Sequence, residues 1–212
     1  NLGCPYPQVA KKKRGSGLLP YPEMVDEILE KVFREINIAF SIKCRLGYAS
    51  ADELDALIPV FNRFSISELT LHARIGKQLY SGQPDLDAFA EAISLIKAPL
   101  AYNGDIFTPE DWHHFSERYP SIQLLMLGRG ILRNPFLPAQ IKGLALPDNP
   151  QAIVYQFVDE LYHAIRHQRN DNPSVLNAMK EYWSYLCEFF DEPLRVFRKI
   201  RKSKNFRDFE EA

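Results

Sequence analysis

The chain is short of cysteine, of long apolar runs and of charge of one sign. Three cysteines occur in 212 residues, Cys4, Cys44 and Cys187. They lie far apart and form no C-x-x-C pair. That excludes a disulfide framework and a thiolate zinc site, and it fits a reducing, cytoplasmic setting. No apolar run approaches the roughly 20 residues that a membrane-spanning helix needs, and no basic-then-apolar leader is visible. The formal net charge is −1, with 26 Lys and Arg against 27 Asp and Glu. Any anion-binding surface must therefore be a local concentration of charge. At 46% hydrophobic and 25% charged, the composition excludes collagen-like and disordered classes. The length suits one large domain, or one domain with an appendage.

What the chain does have is alternation. Apolar runs of strand type occupy residues 38–43, 69–72, 99–103 and 122–127. Helical patterns fill the gaps. Met24, Val25, Ile28, Leu29, Val32 and Phe33 form one stripe, and Ser50 reads as the cap of a helix reaching residue 63. A third helix covers 85–96, and Thr108-Pro109 starts a fourth. Such alternation predicts parallel strands with right-handed crossovers. Each strand ends in a polar or glycine motif: Lys43-Cys44-Arg45, His72-Ala73-Arg74, Asn103-Gly104-Asp105 and Gly128-Arg129-Gly130. Polar groups at the ends of successive parallel strands predict a (β/α)8 barrel. A doubly wound sheet would gather its ligand at one switch point. After Pro147-Asp148-Asn149-Pro150 the strand signals stop, and helices are predicted at 151–169, 174–189 and 192–202. The fold reading is α/β: the C-terminal part of a TIM barrel over residues 1–148, then a small all-helical domain over 149–212.

Side chains alternate faces along a strand. Lys43 and Arg45 therefore share one face and Ile42 and Cys44 the other, with the apolar pair toward the helices. His72 and Arg74 follow the same rule if their strand persists. Four cation-capable groups at one sheet edge point to an anionic ligand, although each taken singly reads better as a solvated charge. Gly128-Arg129-Gly130 suits a phosphate, since glycines let backbone approach closely, but a plain turn explains it equally. Cys4, between Gly3 and Pro5 in a loop, is a better candidate for chemistry than Cys44 or Cys187, which read as core. His113 and His114 are adjacent and so make a poor metal pair. Tyr182, Trp183 and Tyr185 read as helix packing. Residues 195–207 hold seven Lys or Arg and no acid. With the basic run at 11–14, they read as a phosphate-backbone surface or as a solvated face.

The ordered set is more specific than its members. Asn1-x-Gly3-Cys4-Pro5, Gly15-Ser16-Gly17-Leu18-Leu19, Lys43-x-Arg45-x-Gly47, His72-Ala73-Arg74, Tyr80-x-Gly82, Asn103-Gly104-Asp105-Ile106 and Gly128-Arg129-Gly130 follow one another along the chain. This resembles the tRNA-dihydrouridine synthases over nearly the whole length. The resemblance implies an FMN enzyme that reduces uridine in tRNA to 5,6-dihydrouridine, with NADPH as reductant and a helical domain that binds tRNA. It implies that the flavin delivers hydride to uracil C6 and that Cys4 protonates C5, a task that suits a thiol. Asn1 would hold the target uridine, and Arg45 and Arg74 would lie near the substrate. Lys43 and His72 would contact the flavin, Asn103 and Asp105 its ribityl–phosphate side, and Gly128 and Arg129 the phosphate. A base within a folded RNA must leave its stack to reach such a site. No metal and no membrane is implied.

The same resemblance leads us to expect that sequence is missing at the N-terminus. The chain opens inside a Gly- and Pro-rich loop with no Met, and a family barrel has about three further strands and the start of a fourth ahead of that loop. Two other readings compete: another FMN barrel reductase acting on a small molecule, and a tRNA-binding module without catalysis. The basic helical tail argues against the first.

Overall fold

Pro7 and Pro22 open the first two helices, at a position where a missing N–H does no harm. These are α1 (Pro7–Ala10) and α2 (Pro22–Glu35) in the computed structural model, which describes residues 1–212. Strands and helices then alternate: β1 (Ser41–Arg45), α3 (Glu53–Phe61), β2 (Glu68–His72), α4 (Leu86–Leu95), β3 (Leu100–Asn103), α5 (Pro109–Arg118) and β4 (Leu124–Met126). The four strands pair in parallel, in chain order.

Several boundaries differ from the sequence reading; β4 spans Leu124–Met126 against the expected 122–127, and two others have a visible cause. β1 starts at Ser41, not Ile38, because its ladder begins where β2 begins, at Ser41 opposite Glu68; Ile38 is left exposed. α3 starts at Glu53 rather than next to Ser50. The Glu53 carboxylate accepts the backbone N–H groups of Tyr48, Ala49 and Ser50. A side chain inside the first turn thus satisfies donors that a preceding cap would otherwise serve.

The two faces of the sheet differ in chemistry. Ile42, Cys44, Leu69, Leu71 and Tyr102 point to one face and are all buried. Tyr102 stacks on Phe115 of α5 at 3.9 Å and meets Phe89 of α4 edge-on at 5.0 Å. Burial of such side chains contributes about 1.5–3 kcal/mol each. The opposite face carries Lys43, Arg45, Thr70, His72 and Asn103.

The chain divides into two compact units, Asn1–Asp105 with His114–Leu127, and Ile106–His113 with Gly128–Ala212. The second unit holds α6 (Arg129–Arg133), α7 (Leu137–Ile141), α8 (Pro150–Gln168), α9 (Ser174–Leu186), α10 (Pro193–Lys202) and α11 (Phe206–Glu210). Its core joins Val158 and Tyr162 of α8 to Met179 and Trp183 of α9, Ile200 of α10 and Phe209 of α11. Cys187 is buried in this core. α11 has no counterpart in the sequence reading; Asn205 caps it, its side-chain oxygen accepting the Asp208 N–H at 2.8 Å. No helix is long and apolar enough to cross a membrane.

Candidate active site

Parallel register builds a row across the first unit that is polar on its first three strands. Arg45 pairs with His72, His72 with Asn103, and Asn103 with Met126, at the C-terminal ends of the four strands. Lys43 lies two residues back on the same face, opposite Thr70. Period-two alternation turns Cys44 to the other side, where burial pushes its thiol up to about 12. Cys44 is thus an inert core residue, as the strand pattern predicts.

The four cation-capable groups are not equivalent. Arg74 is fully buried and already matched. Its Nη1 and Nη2 donate to the two carboxylate oxygens of Asp105, its Nε to Ser81 O and its Nη2 also to Gly82 O. Arg45 is 1% exposed. It donates from Nε to Gly3 O at 3.1 Å and from Nη1 to Ile75 O at 3.0 Å and Leu79 O at 2.7 Å. These two arginines, which the resemblance puts near the substrate, lie beneath the surface with their donors aimed at protein acceptors.

His72 is held neutral. Burial, then the charges of Arg45, Lys43 and Arg74, bring its imidazole down to about 3. Its Nε2 faces Arg74 Nη1 at 3.4 Å. As acceptor there, Nε2 leaves the ring proton on Nδ1. The sequence count of four cations therefore falls to three, one of them neutralised by Asp105. Asn103 donates from Nδ2 to Met126 O at 2.8 Å, which fixes the amide and leaves Oδ1 as an acceptor.

Lys43 stands apart. Its ammonium is half-buried, and no carboxylate lies in ion-pair range of it. Burial, and after it the charge of Arg45, lowers its pKa. A partly desolvated, uncompensated cation of this kind favours an anionic partner.

The loop bearing Cys4 is docked on β1. Leu2 forms a parallel bridge to Cys44, and its N–H donates to Lys43 O at 2.7 Å. The Asn1 side-chain oxygen accepts the Gly3 N–H at 2.9 Å. Room for a side chain at Gly3 would end 3.5 Å from both Asn1 Oδ1 and Lys43 Nζ, so Asn1, Gly3 and the Lys43 ammonium share one neighbourhood. Cys4 is partly exposed, unlike the other two cysteines.

Tyr80 enters the sequence reading only as part of a motif, and the structure brings it to this site. Its ring lies 5.4 Å from the Arg45 guanidinium and 6.2 Å from the His72 ring, and the residue is 44% exposed. A loop residue outside any strand gives no parity signal, so only the Tyr-x-Gly pattern could have marked it.

Gly128 and Arg129 follow β4 but belong to the second unit. Space is open where a Gly128 side chain would stand, whereas one at Gly130 would collide with Ile106 O at 2.2 Å. The Arg129 guanidinium lies 5.4 Å over the Phe107 ring. In the same unit, α10 exposes Arg198, Lys199, Arg201 and Lys202, while Arg195 pairs with Glu192. No group of three or more His, Cys, Asp or Glu is arranged to hold a metal.

The family model described as dihydrouridine synthase matches residues 1–211. The chain is 31% identical to tRNA-dihydrouridine synthase B of Proteus vulgaris over 195 residues, 89% of this chain and 60% of the relative. It is 28% identical to the tRNA-dihydrouridine(16) synthase of Pseudomonas putida over 207 residues, 95% of this chain and 64% of that protein. A probable tRNA-dihydrouridine synthase of Staphylococcus aureus (strain Mu50) is 38% identical over 146 residues, 64% of this chain and 42% of the relative. The chain spans about half the length of the curated relatives it matches. With a family match over essentially its full length, the chain belongs to the dihydrouridine synthase family.

Proposed function

We propose that the protein carrying this chain is a flavin oxidoreductase that reduces uridine in tRNA to 5,6-dihydrouridine, using FMN and NADPH. Residues 1–148 form part of its (β/α)8 barrel, and residues 149–212 form a helical tRNA-binding domain. The observation that carries this reading is the half-buried Lys43 ammonium, with no carboxylate partner, on the same sheet face as a neutral His72. An anionic, hydrogen-bonding cofactor suits that set. Lys43 supplies the charge that stabilises added electron density, His72 offers the Nδ1–H, and Asn103 Oδ1 accepts. Asp105 keeps Arg74 in place, and Gly128 and Arg129 take the phosphate. When bound, FMN supplies the two electrons that saturate the uracil C5–C6 bond.

The chain's own residues do the rest. Cys4, on a loop docked beside Lys43, donates the proton to C5. Asn1 orients the uracil, and Tyr80 offers a ring face beside it. Arg45 and Arg74 act on the substrate through the loops that they tie down. The exposed cations of α10 meet the RNA backbone. A tRNA substrate and free thiols fit a reaction in the cytoplasm.

The test is dihydrouridine formation on unmodified tRNA with FMN and NADPH, read by nucleoside mass spectrometry. The expected result is conversion that needs NADPH and folded tRNA, and that Lys43→Met reduces at least tenfold while lowering flavin content. Turnover of free uridine or of a small enone at a rate equal to that on tRNA would overturn the proposal.

A further inference from the structure

The reading of Cys4 as the acid leaves open what aims its thiol. Cys4 lies between two peptide groups, and buried donors hold both. On the N-terminal side, Arg45 Nε donates to Gly3 O at 3.1 Å. On the C-terminal side, the Cys4 carbonyl accepts two bonds from one residue, the Ser16 N–H and the Ser16 hydroxyl, each at 3.0 Å. Two bonds use both lone pairs of that oxygen. Pro5 adds a restriction of its own, since a residue before proline is pushed to extended backbone. With both flanking peptide planes fixed, the thiol retains rotation about χ1 alone, among three staggered wells.

Ser16 is 0% exposed, and two glycines make its place. Gly15 has φ +54°, and a side chain on it would come within 2.5 Å of Cys4 O. A side chain at Gly76 would come within 2.5 Å of the Ser16 hydroxyl. Gly76 is itself anchored, donating its N–H to Gly47 O at 2.8 Å. The Ser16 hydroxyl thus occupies a niche between the Cys4 loop and the loop after β2. The turn does not require it, because the Ser16 N–H already bonds the same carbonyl. Its contribution is orientation.

We infer that Ser16 is a positioning residue for the reaction, fixing the Cys4 backbone so that the thiol faces the substrate. This rests on the proposed role of Cys4. The experiment compares the parent protein, Ser16→Ala and Cys4→Ala. Ser16→Ala keeps the backbone bond and nearly all of the volume, so it folds. Three quantities are read in the purified protein: the rate of iodoacetamide alkylation at the Cys4 peptide, followed by mass spectrometry; flavin reduction by NADPH; and single-turnover reoxidation by tRNA, with KM for tRNA. In Ser16→Ala, alkylation at Cys4 speeds up and reoxidation by tRNA slows down, each by about three- to tenfold, the scale of one buried hydrogen bond. Flavin reduction and KM stay at their parent values. The inference is overturned if alkylation or reoxidation stays at the parent rate, or if both half-reactions slow equally, as a merely structural role requires. Parent-rate reoxidation in Cys4→Ala would instead overturn the assignment of Cys4.

Discussion

Arg74 closes a fork on Asp105: Nη1 lies 2.9 Å from one carboxylate oxygen and Nη2 2.5 Å from the other, with the arginine side chain wholly out of solvent. The pair joins the end of β2 to the loop after β3. It holds a charge where a lone guanidinium would be costly.

Removing one partner of such a pair strands the other. Asp105→Ala is expected to lower the unfolding free energy by about 3 kcal/mol, read by urea denaturation. Arg74→Lys keeps the charge but loses the fork and the reach to Ser81 O and Gly82 O. It should lose about 1–2 kcal/mol. An unchanged urea midpoint in either variant would show that the pair does not hold the loops.

His72 makes stability fall with acid. Its folded pKa of about 3 lies below the 6.5 of an unperturbed histidine. Between those values the unfolded chain binds the proton and the folded one does not, so stability rises with pH. The contribution is fully present above pH 6.5 and is lost at about 1.4 kcal/mol per unit as pH falls toward 3. Urea denaturation at pH 5 should therefore show about 2 kcal/mol less stability than at pH 7 from this residue. His72→Asn should flatten that part of the profile.

Cys4→Ala separates two half-reactions. In the proposed reaction, flavin reduction by NADPH would draw on Lys43 and His72 but on no thiol, and is expected to be unchanged. Reoxidation by tRNA needs the proton at C5 and should fall by about 10²- to 10⁴-fold, the usual weight of a placed general acid. Cys44→Ala, at a wholly buried site on the opposite sheet face, should alter melting temperature and leave both half-reactions alone. Stopped-flow absorbance reads each step.

The α10 face should carry the salt dependence of RNA binding. Ile200 is buried while Val196 and Phe197 pack on the core, so the helix turns Arg198, Arg201 and Lys202 outward. Changing these three to Gln should lower the magnitude of the log–log salt slope for tRNA binding by about 0.9 for each phosphate that the parent side chains neutralise. Flavin content should stay at the parent value. An unaltered slope would assign these cations to solvent.

Much of the site is legible in the order of residues. A period of two decides that Lys43 and Arg45 share a face, and that Cys44 faces the helices with Ile42. A glycine and a proline beside Cys4 mark it as a loop cysteine, and it is the partly exposed one. Boundaries are less legible. Ile38 has the composition of a strand residue, but a strand begins only where its neighbour offers a ladder, at Glu68.

Residue order and strand periodicity thus determined which side chains meet at the strand ends and in what sequence. Their states were decided by the fold. Arg45 directs its donors to Gly3, Ile75 and Leu79, Arg74 to Asp105 and two carbonyls, and Ser16 to Cys4, across separations of 7 to 42 residues. His72 is neutral and Lys43 lacks a carboxylate because packing removes water and selects which charges stand near. Desolvation and pairing depend on what surrounds an atom in three dimensions, and a linear pattern carries no record of either.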